Sequence, residues 1–146
     1  MKVRDLPDPI APHINLHLYP LHVPVLQTSP SPSTNVYPGG LWALSISIPP
    51  TYPLTPPTIK FSTPICHPNV DFRTGEICLD LLKDSWSPAY TISSTMTSVH
   101  QLLTSAEPDS PLNVDIAQLL RNEDYVGAES LIRFYCETER YEGRRR

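Results

Sequence analysis

The sequence predicts an α+β domain, with antiparallel strands in its first half and helices in its second. Two strand segments, around residues 13–19 and 41–48, alternate apolar and polar positions with a period of two. After residue 90 the apolar positions switch to helical spacing. Prolines, 18 of 146 residues and mostly ahead of residue 70, punctuate the strand half. A chain of 146 residues is long enough for one hydrophobic core, and residues 1–146 are read as a single domain.

The elements follow in order. Ile14, Leu16 and Leu18 alternate with His13, Asn15, His17 and Tyr19, the pattern of a half-buried strand. Residues 23–29 form a weaker strand whose Pro24 suits an edge or a strand start. Residues 29–40, SPSPSTNVYPGG, carry loop chemistry. In residues 41–48, LWALSISI, Trp42, Leu44, Ile46 and Ile48 share one face, with Ser45 and Ser47 opposite. The next nine residues, PPTYPLTPP, hold five prolines and exclude both helix and central strand. Residues 58–62, TIKFS, read as a fourth strand. Ile92, Met96, Val99 and Leu103 define a helix with Thr91 at its N-cap. Its many Ser and Thr residues are poor helix formers, so packing must hold it. Asn113 is the expected cap of a short helix over 114–121. Asn122 is the expected cap of a last one that buries Ala128, Leu131, Ile132 and Tyr135.

Charge and cysteine content narrow the function classes. A net charge of −4 and a pI of about 5.6 argue against nucleic-acid binding. No apolar run approaches the ~20 residues that cross a bilayer, and no signal-peptide core is visible. Three cysteines cannot all pair, and a compartment with reduced thiols, cytosol or nucleus, is expected. A metal site is not expected, since no closely spaced ligand pair exists. His13 and His17 lie in a strand pattern, which puts them about 13 Å apart.

Residues 66–80, CHPNVDFRTGEICLD, hold Cys66 and Cys78. A Cys-His protease needs a base within reach of its thiol, and neither His67, ahead of a proline, nor His100, inside a helix, stands in such a signature. Glu76 and Asp80 flank Cys78, and nearby negative charge disfavours a standing thiolate. Such a thiol suits a partner that arrives already activated, as a thioester does.

The motifs HPN, G-x-ICLD, WSPAYTI and PDSPL, with VYPGG and PPTYPLTPPTIKF upstream, run in order from Tyr37 to Leu112. Together they resemble the ubiquitin-conjugating enzyme family. The resemblance implies a four-stranded antiparallel sheet followed by helices, and a thioester between Cys78 and the ubiquitin C-terminus. It implies that Asn69 helps stabilise the oxyanion and orders the nearby loop, since an amide N–H can face charge developing on a thioester oxygen. His67 and Pro68 would shape the turn that holds Asn69. Asp80 matches the acidic position past the nucleophile, and Ser110 a gate position beside the groove. Leu54, Pro88 and Ala89 match two loops that meet a RING-type ligase. No cofactor is implied, because a separate activating enzyme uses the ATP. Implied partners are ubiquitin, the activating enzyme and a RING-type ligase.

Nine positions separate Asn69 from Cys78, one more than in most relatives, and Gly75 is expected to absorb the turn. This enlarged loop, with TGEICLDLLKDSWSPAYT and PDSPLNVDIAQLLR, is most similar to the peroxisomal, peroxin-four branch. That likeness implies ubiquitination of a peroxisomal import receptor on cysteine. It also implies recruitment by a membrane-anchored peroxin, with the enzyme in the cytosol or peripheral on the cytosolic face of the peroxisomal membrane and no direct membrane insertion. The family's N-terminal helix is largely missing, since Pro7, Pro9 and Pro12 interrupt the start. Two readings of that stay open: a truncated form, or impaired loading by the activating enzyme. The rival function is therefore a non-catalytic binding module.

Plainer roles stand beside these. Cys78 could be a packed thiol, as Cys66 and Cys136 are expected to be. Asn69 and Ser110 could serve only their turns. Trp86 is expected in the core, and Leu54 could merely cover it.

Overall fold

The computed structural model describes residues 14–22, 37, 41–107 and 109–139. Strands β1 (Ile14–His22), β2 (Leu41–Ile48) and β3 (Thr58–Phe61) form an antiparallel sheet in the order β1-β2-β3. The register pairs Ile14 with Ile48 and His22 with Leu41, and shifts between His17 and Tyr19. Leu44 pairs with Phe61 and Ser47 with Thr58. The expected strand over 23–29 and the N-terminal segment lie outside the described residues.

Strand β2 keeps the alternation read from its sequence: Trp42, Leu44 and Ile46 are buried. Ala43 is buried as well, against the period of two. The chain leaving β3 folds back over it, with Ser62 N–H donating to the Ala43 carbonyl at 2.8 Å and Ala43 N–H donating to Thr63 Oγ1 at 3.0 Å.

Helix α1 (Ile92–Thr104) starts at Thr91 as expected. Thr91 Oγ1 accepts from Ser94 N–H and Ser94 Oγ accepts from Thr91 N–H, a reciprocal cap that satisfies two otherwise unpaired donors. Met96, Val99, Leu102 and Leu103 form its buried stripe and join the sheet residues in one core. Packing of that stripe offsets the poor propensity of the Ser and Thr positions.

Helices α2 (Val114–Arg121) and α3 (Tyr125–Thr138) complete the described fold. Ile116, Ala128 and Ile132 enter the core, with Leu131 and Tyr135 packed at its margin. Two caps differ from expectation. Asn113 stands at the start of α2, but its side chain makes no capping bond. Asp124, not Asn122, caps α3: its carboxylate accepts from Gly127 N–H at 2.9 Å, while Asn122 closes the end of α2. Glu123, at φ +57°, turns the chain left-handed between them, so α2 closes at Asn122 before α3 is capped at Asp124. No helix among the described residues is long and apolar enough to cross a membrane.

Candidate active site

The HPN turn is built into the core. His67 and Asn69 are almost fully inaccessible, at 0% and 1%. Just before them, Tyr37 donates its hydroxyl to the Cys66 carbonyl at 2.7 Å, and its ring packs 5.7 Å from Trp42 and 6.0 Å from His67. Burial raises the Tyr37 pKa well above its ordinary value and keeps the phenol a donor.

The hydrogen bonds of His67 fix its tautomer. Nδ1 accepts from Asn69 N–H at 3.0 Å, so the ring proton sits on Nε2 and is donated to the Leu102 carbonyl at 2.9 Å. Burial pushes the imidazole pKa down to about 4, only partly opposed by the bond to Leu102. His67 is therefore a neutral brace between the turn and α1. Pro68 adds a second tether, its carbonyl accepting from Leu112 N–H at 2.8 Å and Asn113 N–H at 3.0 Å.

Asn69 reaches in two directions. Its backbone carbonyl accepts from Cys78 N–H at 2.8 Å. Its side chain spans to the loop before α2: Nδ2 donates to the carbonyls of Glu107 at 2.7 Å and Ser110 at 3.2 Å, and Oδ1 accepts from Glu107 N–H at 2.8 Å. The side chain thus ties the HPN turn to the loop before α2. Both amide protons are engaged in it, so in this conformation neither faces outward as an oxyanion donor. The Glu107 backbone is a partner that sequence reasoning missed, and nothing in the local pattern marks it.

Between Asn69 and Cys78 the chain makes a tight hairpin. Val70 bridges Ile77, Asp71 N–H donates to Glu76 O at 2.9 Å, and Gly75 N–H donates to Asp71 O at 2.9 Å. Asp71 Oδ1 accepts from the N–H groups of Thr74 at 2.7 Å and Arg73 at 2.9 Å, which holds its carboxyl below the usual range. Gly75 absorbs the turn as expected, at φ +70°. Its carbonyl accepts from Phe61 N–H at 2.9 Å, and a Cβ placed there would lie 1.9 Å from Phe61 O, so only glycine fits. Lys60 and Glu76 close the same edge at 3.1 Å.

The three thiols differ. Cys78 is half-buried at the end of the hairpin. Cys66 is 2% exposed, and burial pushes its pKa up to about 12. Cys136, half-buried in α3, is pushed up to about 11, also chiefly by burial. Asp80 is exposed and opens a 3-10 turn over Asp80–Leu82. Ser110 is exposed and tied to the site through its own carbonyl. Among the described residues no cluster of three His, Cys, Asp or Glu is arranged to hold a metal ion.

The two loops matched to ligase contact are joined by a residue expected in the core. Trp86 is half-buried, and its Nε1–H donates to the Pro53 carbonyl at 2.9 Å. Its ring packs 6.1 Å from Tyr52 and 5.9 Å from Tyr90. Leu54, next to Pro53, is 76% exposed, and Pro88 and Ala89 are exposed between Trp86 and Tyr90. The aromatic spacing around these prolines was the available signal for a bridge.

The sequence model described as "Ubiquitin-conjugating enzyme" matches residues 19–135. The chain is 52% identical over 109 residues to "Ubiquitin-conjugating enzyme E2 PEX4" of Gibberella zeae, covering 73% of this chain and 63% of that protein. It is 55% identical over 104 residues to "Ubiquitin-conjugating enzyme E2 pex4" of Dictyostelium discoideum, covering 71% of this chain and 70% of that one. The chain thus spans less than two thirds of the Gibberella relative's length. Among solved structures it resembles H. polymorpha ubiquitin conjugating enzyme Pex4p, crystallised in complex with the soluble domain of Pex22p. The TM-score is 0.71 at 38% identity, over 73% of this chain and 70% of that one.

Proposed function

This chain belongs to the ubiquitin-conjugating enzyme family, and on that premise we propose that Cys78 accepts the ubiquitin C-terminus as a thioester and hands it to a substrate. The observation that carries the reading is the bond from Cys78 N–H to the Asn69 carbonyl, because it fixes the thiol-bearing residue to the turn that also grips the 107–110 loop. In loading, the Cys78 sulfur attacks the thioester carbonyl carried by the activating enzyme. A new carbon–sulfur bond forms, the carbon–sulfur bond to the activating enzyme breaks, and the proton that Cys78 gives up ends on the departing thiol. In transfer, an acceptor thiol or amine attacks the same carbonyl, the carbon–sulfur bond to Cys78 breaks, and the acceptor's proton balances the departing Cys78 thiolate. Asn69 holds the flanking loop throughout. For its amide to serve the oxyanion, the longer bond to Ser110 is the one that opens. Asp80 and Ser110 flank the path of the acceptor, and no cofactor enters either step.

The peroxin-4 names of the relatives, and the H. polymorpha complex with Pex22p, support a finer reading. In it the substrate is a peroxisomal import receptor, and a membrane-anchored peroxin holds the enzyme on the cytosolic face of that membrane. Leu54, Pro88 and Ala89, joined through Trp86, offer the surface for a RING-type ligase. A thiol acceptor loses its proton more readily than lysine at neutral pH, which relaxes the need for a carboxylate at Ser110.

The test is charging with activating enzyme, ATP and ubiquitin. A thiol-sensitive adduct that disappears in Cys78→Ala is expected. Intact binding of partners with no adduct on the unmodified protein would replace this reading with the non-catalytic binding module.

A further inference from the structure

The hairpin that ends at Cys78 is held on two flanks. One flank lies on β3 through the Phe61–Gly75 backbone bond and the Lys60–Glu76 pair. On the other, Phe72 sends its ring out of the turn to Tyr135 of α3, with centroids 4.8 Å apart and planes inclined at 57°. Phe72 and Tyr135 are both half-buried, and Tyr135 in turn packs edge-on against Phe134 at 5.4 Å. Phe72 stands in the turn between Asn69 and Cys78, so that turn carries its own anchor on α3. Aromatic pairs at this separation stabilise beyond simple area burial.

We propose that Phe72 is a positioning residue for transfer from Cys78: by closing the hairpin onto α3 it fixes the backbone that sets the sulfur's direction. The inference rests on the conjugating role proposed above. The chain of contacts is short. Ile77, the residue before Cys78, bridges Val70, and Cys78 N–H is bonded to Asn69, so both ends of the hairpin converge on the turn and the nucleophile. With the Phe72 ring removed, the hairpin keeps its β3 flank and loses its brace on α3. It then opens about that edge more often, and the sulfur samples directions that do not present the thioester to the acceptor.

The test combines hydrogen exchange with transfer kinetics on the full chain. In Phe72→Ala, the amides of Asp71, Gly75 and Cys78 are expected to exchange about two- to tenfold faster, the range set by one aromatic pair. Amides of α1 stay at their original rates. Discharge of charged protein onto free cysteine loses a similar factor in kcat with KM unchanged. Phe72→Tyr restores both. Adding Phe72→Ala to Tyr135→Ala does no further harm to either readout, because the partner ring is already gone. Unchanged hairpin exchange, faster exchange spread equally into α1, additive losses in the double variant, or unaltered kcat would each overturn the proposal. Phe72→Leu, which keeps bulk without the ring, serves if the alanine variant fails to fold. If the unmodified protein takes no ubiquitin, the conjugating role falls with it. The exchange result then still decides whether Phe72 braces the hairpin.

Discussion

Cys78 is bonded through its backbone amide to the carbonyl of Asn69 at 2.8 Å, and the side chain of the same asparagine clasps the backbone at Glu107 and Ser110. One residue thereby couples Cys78 to the loop on its flank. Asn69→Ala leaves the Glu107 N–H and carbonyl without these partners, at a cost of about 1–3 kcal/mol. Urea unfolding should show that loss. Charging should be spared while discharge slows. If the clasp is the larger part of the asparagine's role, the slowing is smaller than the roughly hundredfold typical of deleting an oxyanion donor.

The neutral state of His67 makes the fold sensitive to mild acid. An unfolded imidazole titrates near 6.5, whereas in the fold burial holds this one at about 4. Below 6.5 the unfolded chain gains a proton that the folded one refuses. The contribution is whole above that value and is lost as pH falls towards 4, up to about 3 kcal/mol. Asp71, with its lowered carboxyl pKa, adds stability that is lost only at lower pH. Unfolding curves between pH 7 and pH 4 test the window. Nitrogen NMR should show His67 protonated on Nε2 alone at pH 6, and a ring that titrates near 6.5 would contradict the brace.

Gly75→Ala should be among the most damaging single changes outside the core. It combines a left-handed backbone, worth about 1–2 kcal/mol, with an overlap against the Phe61 carbonyl that neither backbone can relieve. A loss above about 2 kcal/mol is expected from denaturant titration. Arg73→Ala, two residues earlier and exposed, should stay within about 0.5 kcal/mol.

Trp86→Phe keeps an aromatic ring but removes the donor to Pro53, costing about 0.5–1.5 kcal/mol. If the joined loops are the ligase surface, discharge without ligase should be unchanged and its stimulation by a RING-type ligase should fall. An equal fall in both rates would place Trp86 in the scaffold alone.

The thiols should separate by alkylation. At pH 7.5 Cys66 should react only after unfolding. Cys136, pushed up to about 11, should lag an ordinary thiol by about a hundredfold. Cys78 should be the first residue modified, as read by peptide mass spectrometry.

Much of this architecture is written in local patterns. The period-two face of β2, the 3.6-residue stripe of α1 and the Thr91 cap each depend on neighbours within a few positions. The positive φ at Gly75 was likewise visible as a glycine in a lengthened turn. The α3 cap was misread because Glu123 turns left-handed, a conformation its side chain does not announce. The site was legible as a set of motifs but not as a geometry. Asn69 meets partners 38 and 41 positions away, and Trp86 one 33 positions away. Such pairings are decided by how the core closes. Whether an amide faces a substrate or a neighbouring carbonyl is settled only by that closure.

The indole bridge at Trp86 has a consequence for molecular recognition. Two separate stretches of chain, one around Pro53 and one around Trp86 and Pro88, are already joined to one another by the fold. If these loops are the ligase surface, the entropy of assembling it is spent during folding and not charged to the encounter. A footprint of modest extent would then suffice, and substitutions in the two stretches should compound non-additively in ligase stimulation, because the indole bond couples them.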